Sequence, residues 1–189
     1  MKRLDPKGTE GVKPFKAKKA DLKYKGEKIA EPLAFLPVFP GTNCDYDSAK
    51  AFRKAGAKVK FGVFRNLTEQ DVNDSIEEMK RNIDECQILM LCGGFSAGDE
   101  PDGSGKFIAN VLNNEKIAAA IEALIARGGL ILGICNGFQA LVKSGLLPYG
   151  HLGCVTKDSP TLFRNDINRH ISQIAFTRVA SVNSPWLAG

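Results

Sequence analysis

No stretch of the 189-residue sequence reaches the ~18 consecutive apolar residues of a membrane helix. No apolar segment follows the charged N-terminus, as a secretory signal requires. Neither membrane insertion nor export is therefore expected. The five cysteines, at positions 44, 86, 92, 135 and 154, form no CxxC pair, and their number is odd. That argues against a zinc site and against a disulfide framework, and it places the protein in a reducing cytoplasm. Histidine is scarce, with only His151 and His170. No internal repeat is visible.

What is present is a soluble composition, 43% hydrophobic and 25% charged, on a chain long enough for one sizeable core. The net charge is +5. Residues 1–31 hold ten Lys or Arg against five Asp or Glu, and the remainder holds 16 of each. The excess is therefore confined to an N-terminal arm. That arm mixes both signs, has few aromatics and is rich in Lys, Gly and Pro, which reads as a solvated linker rather than a nucleic-acid surface. The globular part is expected over residues 32–189.

From there, apolar runs alternate with amphipathic ones. "LAFLPVF" is a strand demoted by Pro37. "DYDSAKAFRKAG" predicts a helix with Ala49, Phe52 and Ala55 on one face and Gly56 as its stop. "AKVKFGVF" is a strand. "NLTEQDVNDSIEEMKRNID" predicts a helix with Thr68 as N-cap, Asp71 three residues on, and a buried stripe of Val72, Ile76, Met79 and Ile83. "CQILMLCGG" and "LILGI" read as strands of a buried parallel sheet. "KFIANVLNNEKIAAAIEALIARGG" is one long helix or two, and "NGFQALVKSG" is another. Beyond residue 150, "SQIAFTRVASV" alternates like a surface or edge strand. The order implies an α/β fold, a doubly wound, mostly parallel sheet with helices on both faces. Ligands on such sheets bind at the carboxyl ends of the strands.

Two loops fall at such ends. In "GICNG", Gly133 and Gly137 bracket Cys135 between a strand and a helix. Small neighbours make room for a residue held up on a sharp turn, as in the G-x-S-x-G elbow with sulfur in place of oxygen. Free N–H groups at the helix start favour the attacking thiolate, and the Asn136 N–H is positioned for an oxyanion. In "GGFSAGDE", paired glycines leave backbone N–H groups to serve as the second half of such a hole. The other four cysteines read as structural. A thiol nucleophile also requires a base. His151 and His170 are the candidates, and neither is followed at short spacing by a partner carboxylate.

"FPGTNCDYDSA", "LCGGFSAGDE" and "GICNGFQAL", in that order, resemble the class I (triad) glutamine amidotransferase domain of phosphoribosylformylglycinamidine synthase. The resemblance runs from about Leu33 to the end, and "TLFRNDINRHIS" and "SPWLAG" are similar to segments of its long single-chain form. It implies a flavodoxin-like sheet. It implies that Cys135 attacks the side-chain amide of glutamine, giving a thioester and ammonia, with the N–H groups of Gly94 and Asn136 on the oxyanion. Phe95, Ser96, Gln139, Asn165 and Arg169 would line the glutamine pocket. No cofactor or metal is implied in this domain. ATP and magnesium would serve the partner synthase domains, which take the ammonia to convert formylglycinamide ribonucleotide to its amidine in purine biosynthesis. Residues 1–31 would then be an interdomain linker. The family's His-Pro-Glu type motif does not occur in this sequence. The expectation is thus a domain lacking its last strands and, by itself, poor at glutamine hydrolysis. Two other readings stand beside this one: a cysteine-elbow hydrolase or chaperone of the DJ-1/PfpI group, and a non-catalytic docking domain.

Overall fold

The computed structural model describes residues 29–98, 105–163, 167, 169, 171–175, 177, 182 and 184–187. Two compact units result, and the described helices and strands all belong to the one formed by residues 25–169. In the other, residues 171–175 and 177 carry no helix or strand, and the Trp186 N–H donates to Ser184 Oγ at 3.3 Å. The strand expected over "SQIAFTRVASV" is therefore not formed at its described positions. Most of the basic arm, residues 1–28, lies outside the described residues.

The elements run β1 (Leu33–Val38), α1 (Asp45–Lys54), β2 (Lys58–Val63), α2 (Glu69–Glu85), β3 (Ile88–Leu91), a 3-10 turn (Ser96–Gly98), α3 (Lys106–Leu112), α4 (Glu115–Ala126), β4 (Leu130–Gly133), α5 (Asn136–Ser144) and a short α6 (Leu146–Tyr149). The four strands form one parallel sheet in the order β2-β1-β3-β4. Alternation along the strands feeds two cores. Ala34, Leu36, Ile88 and Met90 point to the face covered by α1 through Ala49. Phe35, Leu89 and Leu91 point to the opposite face, where α2, α3, α4 and α5 supply Met79, Ile83, Ile108, Ile121 and Leu141. Burying side chains of this size contributes ~1.5–3 kcal/mol each. The doubly wound α/β fold is thus present, with its helices divided unevenly between the faces.

Three local expectations are corrected. Pro37 does not push β1 to an edge: β1 pairs with β2 along its length and with β3 at Ala34 and Phe35. The Leu33 carbonyl accepts from the Gln87 N–H, so odd-numbered residues of β1 turn their polar groups toward β3. Pro37 lies two residues past the last β1–β3 pair, where its missing N–H costs no ladder bond. Second, β4 is half-buried rather than buried, and Ile134 is exposed. Among the described residues β4 pairs only with β3, so one flank of it has no ladder partner. Third, Ala55 is exposed, because α1 stops at Lys54 and Ala55 is already its cap. Gly56 does end the helix, at φ +91°, with its N–H on the Arg53 carbonyl.

The order β2-β1-β3 reverses the winding direction between β1 and β3. The loops leaving the carboxyl ends of these two strands diverge there and leave a crevice. Every feature of the candidate site lies at or beside that point.

Candidate active site

β4 delivers the chain through Ile134 to Cys135, and α5 begins one residue later. Cys135 holds φ +53° and ψ −110°, a region that side-chain-bearing residues rarely adopt and that costs about 1–3 kcal/mol. The bend is held by the Ile134 N–H on the Leu91 carbonyl, the Gly137 N–H on the Ile134 carbonyl and the Gln139 N–H on the Cys135 carbonyl. The two bracketing glycines have no room for a side chain. A Cβ on Gly137 would sit 2.0 Å from the Leu91 carbonyl oxygen, and one on Gly133 would sit 2.6 Å from Leu141 Cδ1. α5 is thereby pressed against the end of β3, and Cys135 is turned outward, exposed.

The turn after β3 faces it. A Cβ on Gly93 would lie 3.4 Å from Cys135 Cβ and 3.5 Å from Cys44 Sγ, so both thiols flank one glycine. The loop after β1 locks this turn backbone to backbone. The Asn43 and Cys44 N–H groups donate to the Gly93 carbonyl at 3.1 and 3.4 Å, the Phe95 N–H to the Gly41 carbonyl at 2.9 Å, and the Ala97 N–H to the Pro40 carbonyl at 2.9 Å. Gly94, at φ +144°, is obligatory, since a Cβ there would come within 2.5 Å of the Gly41 carbonyl oxygen. These bonds employ the N–H groups of residues 95 and 97, and that of Ser96 goes to Asn136 Oδ1 at 3.2 Å. The Gly94 N–H has no acceptor among the described residues.

Asn136, the first residue of α5, is 1% exposed. Its side chain spans the site, accepting from Ser96 and donating from Nδ2 to Gln139 Oε1 at 3.2 Å. Ser96 is likewise buried, and its Oγ has no hydrogen-bond partner among the described residues. Phe95 is 65% exposed and Gln139 half-buried. The structure thus brings Gly94, Phe95, Ser96, Asn136 and Gln139 together with Cys135. Arg169 is an exposed bend residue, and Asn165 and His170 lie outside the described residues. His151 follows α6, and its Nδ1 lies 3.5 Å from Glu122 Oε2. It sits beyond the C-terminal end of α5, roughly a nine-residue helix (about 13 Å) from the cysteine at the other end. It therefore does not act as base to Cys135 in this arrangement.

The remaining thiols divide by burial. Burial raises the Cys86 thiol to about 11, against the pull of Arg127, and burial likewise raises Cys92 to about 11, against the Ser48 hydroxyl. Both read as packing residues, as the sequence suggests. Cys44 does not fit that class: it is exposed and shares Gly93 with Cys135. No spacing rule singles it out; only the motif "GTNCD" hints at it. Among the described residues no group of three His, Cys, Asp or Glu could hold a metal ion, and no helix is long and apolar enough to cross a membrane.

Residues 31–189 match the model of the CobB/CobQ-like glutamine amidotransferase domain. The chain belongs to this family. Among curated relatives, the phosphoribosylformylglycinamidine synthase subunit PurQ of Cereibacter sphaeroides is 34% identical over 156 residues, covering 82% of this chain and 59% of the relative. The same-named subunit of Dehalococcoides mccartyi is 40% identical over 109 residues, covering 58% and 38%. A chain in the structure of PurLQS from Thermotoga maritima is 34% identical, with a TM-score of 0.43, covering 62% of this chain and 46% of that one. The amidotransferase chain thus spans about two to three fifths of the length of these two curated relatives.

Proposed function

We propose that this amidotransferase domain hydrolyses glutamine and supplies ammonia to the synthesis of phosphoribosylformylglycinamidine. The Cys135 thiolate attacks the side-chain amide carbonyl, the carbon–nitrogen bond breaks, and the nitrogen leaves as ammonia after gaining a proton. Water then cleaves the thioester to glutamate. The N–H groups of Gly94 and Asn136 hold the oxyanion, worth about 10²–10³ in rate per donor. Phe95, Ser96 and Gln139 line the glutamine pocket, and Asn165 and Arg169 contribute to holding the substrate. The domain uses no cofactor or metal of its own. The ammonia passes to synthase domains, in the same chain or a complex, that use ATP and magnesium; neither nucleic acid nor a membrane is a partner, and the setting is the cytoplasm.

One observation carries the reading. The Gly94 N–H lacks an acceptor among the described residues in a turn whose next three N–H groups are all bonded, and that turn abuts an exposed, strained cysteine. Gly94 is half-buried, so its N–H is left to meet solvent or the developing oxyanion of a bound substrate. Family membership and the PurQ relatives point the same way.

A diazoketone analogue of glutamine tests it. Cys135 is expected to be alkylated selectively, with free glutamine protecting and Cys135→Ser abolishing the adduct by peptide mass. Equal labelling of Cys44 and Cys154 would overturn the reading. Residues 1–189 alone are further expected to form the thioester but to release glutamate slowly, because the family's His-Pro-Glu type motif does not occur in this sequence and His151 is not placed against Cys135. Single-turnover kinetics separate the two steps, and brisk steady-state hydrolysis would refute that second expectation.

A further inference from the structure

We infer that Asn136 fixes which end of the Gln139 amide faces the substrate, so that position 139 reads a hydrogen-bond acceptor on the ligand. The Ser96 backbone N–H can only donate. It points at Asn136 from 3.2 Å, so the atom of Asn136 that meets it is Oδ1. The other end of that planar amide is then Nδ2, a donor, and it meets Gln139 at 3.2 Å. Gln139 must answer with its oxygen. Its Nε2H₂ group is left facing away from Asn136, with no partner among the described residues. An isolated glutamine can flip to suit either a donor or an acceptor. This one cannot, because Asn136 is buried and cannot turn without breaking the Ser96 bond.

Asn136 is therefore a positioning residue. It joins the turn after β3 to the first turn of α5, and it sets the polarity of the pocket wall. A ligand meets donors at position 139 and is selected for an oxygen there, carbonyl or carboxylate. That the oxygen is glutamine's rests on the proposed function; the polarity itself does not.

Asn136→Asp tests the inference with almost no change of shape. One carboxylate oxygen still accepts from Ser96. The other now demands a donor from Gln139, whose amide must turn and present its oxygen to the pocket. The first readout is hydrogen exchange of the Gln139 side-chain amide in full-length protein by NMR, the peak pair assigned by its loss in Gln139→Leu. Exchange should be fast in the parent and slowed tenfold or more in Asn136→Asp. The second readout is inactivation by the diazoketone analogue of glutamine. Its half-saturating concentration should rise about tenfold, the penalty of facing two acceptors, and this rise should exceed any slowing of Cys135 alkylation by iodoacetamide that the new carboxylate causes by disfavouring the neighbouring thiolate. Iodoacetate serves as charge control, and the loss with the analogue must exceed any loss with iodoacetate. Asn136→Ala, which only frees Gln139 to turn, should be milder than the isosteric Asp. A merely structural residue would show the reverse order. A protected Gln139 amide in the parent, or unchanged exchange in Asn136→Asp, overturns the inference. Inverted exchange without selective labelling of the parent upholds the latch and removes the glutamine reading instead.

Discussion

Cys135 is held in its unfavourable backbone conformation by neighbours that cannot be enlarged. Gly137 is the tightest of them, its absent Cβ replaced by the Leu91 carbonyl oxygen 2.0 Å away. Gly137→Ala must push α5 off the end of β3, and overpacking of this kind costs about 1–3 kcal/mol. A lower urea midpoint is expected, together with loss of selective diazoketone labelling, since the same shift carries Cys135 away from Gly93. Unchanged labelling would show that the elbow tolerates movement. The bracketing glycines were legible in the sequence because a sharp turn imposes them locally. The Asn136 bridge was not: its partner Ser96 lies forty residues away, and no local rule relates the two.

Among the elements, the best-read one was α2, whose start is specified by its own residues. Thr68 Oγ1 accepts from the Asp71 N–H at 3.1 Å, satisfying one of the orphan donors of the first turn. Thr68→Ala removes that bond and should cost about 1 kcal/mol in urea unfolding, with the sheet-end site intact. No measurable loss would mean that water caps the helix as well as the hydroxyl does. The long helical run between residues 106 and 126 breaks into α3 and α4 for the same local reason: Asn114 caps α4, its side chain accepting from the Lys116 N–H. The strands were legible as strands but not in their places. Pro37 looked like an edge marker, yet its missing N–H falls where β1 and β3 have already parted. "LILGI" looked doubly covered, yet β4 has one flank unpaired among the described residues. A strand's sequence carries its hydrophobicity, whereas its neighbours are a property of the sheet.

Over the whole molecule, burial sorts five chemically equivalent thiols into three exposed and two sealed. Cys86 and Cys92 keep their protons in the folded state up to about pH 11, while in the unfolded chain they ionise near 9.0. Their contribution to stability is therefore complete below about pH 9 and is lost as pH rises through the folded values. Thermal unfolding temperatures should fall across that window, and less steeply in a Cys86→Ala, Cys92→Ala protein. Equal slopes would show that other groups govern the alkaline limb. At neutral pH, iodoacetamide should modify Cys44, Cys135 and Cys154 and spare the other two.

The sequence alone determined the alternation of strands and helices, the helix caps and the glycine-bracketed cysteine. All of these follow from contacts within a few residues, where period, propensity and steric room act directly. The tertiary structure decided which strands lie side by side, that Cys44 stands beside Cys135, that His151 does not, and which atom of the Gln139 amide faces Asn136. Those outcomes depend on where the β2-β1-β3-β4 order brings distant loops together, and that order is set by packing across the whole sheet.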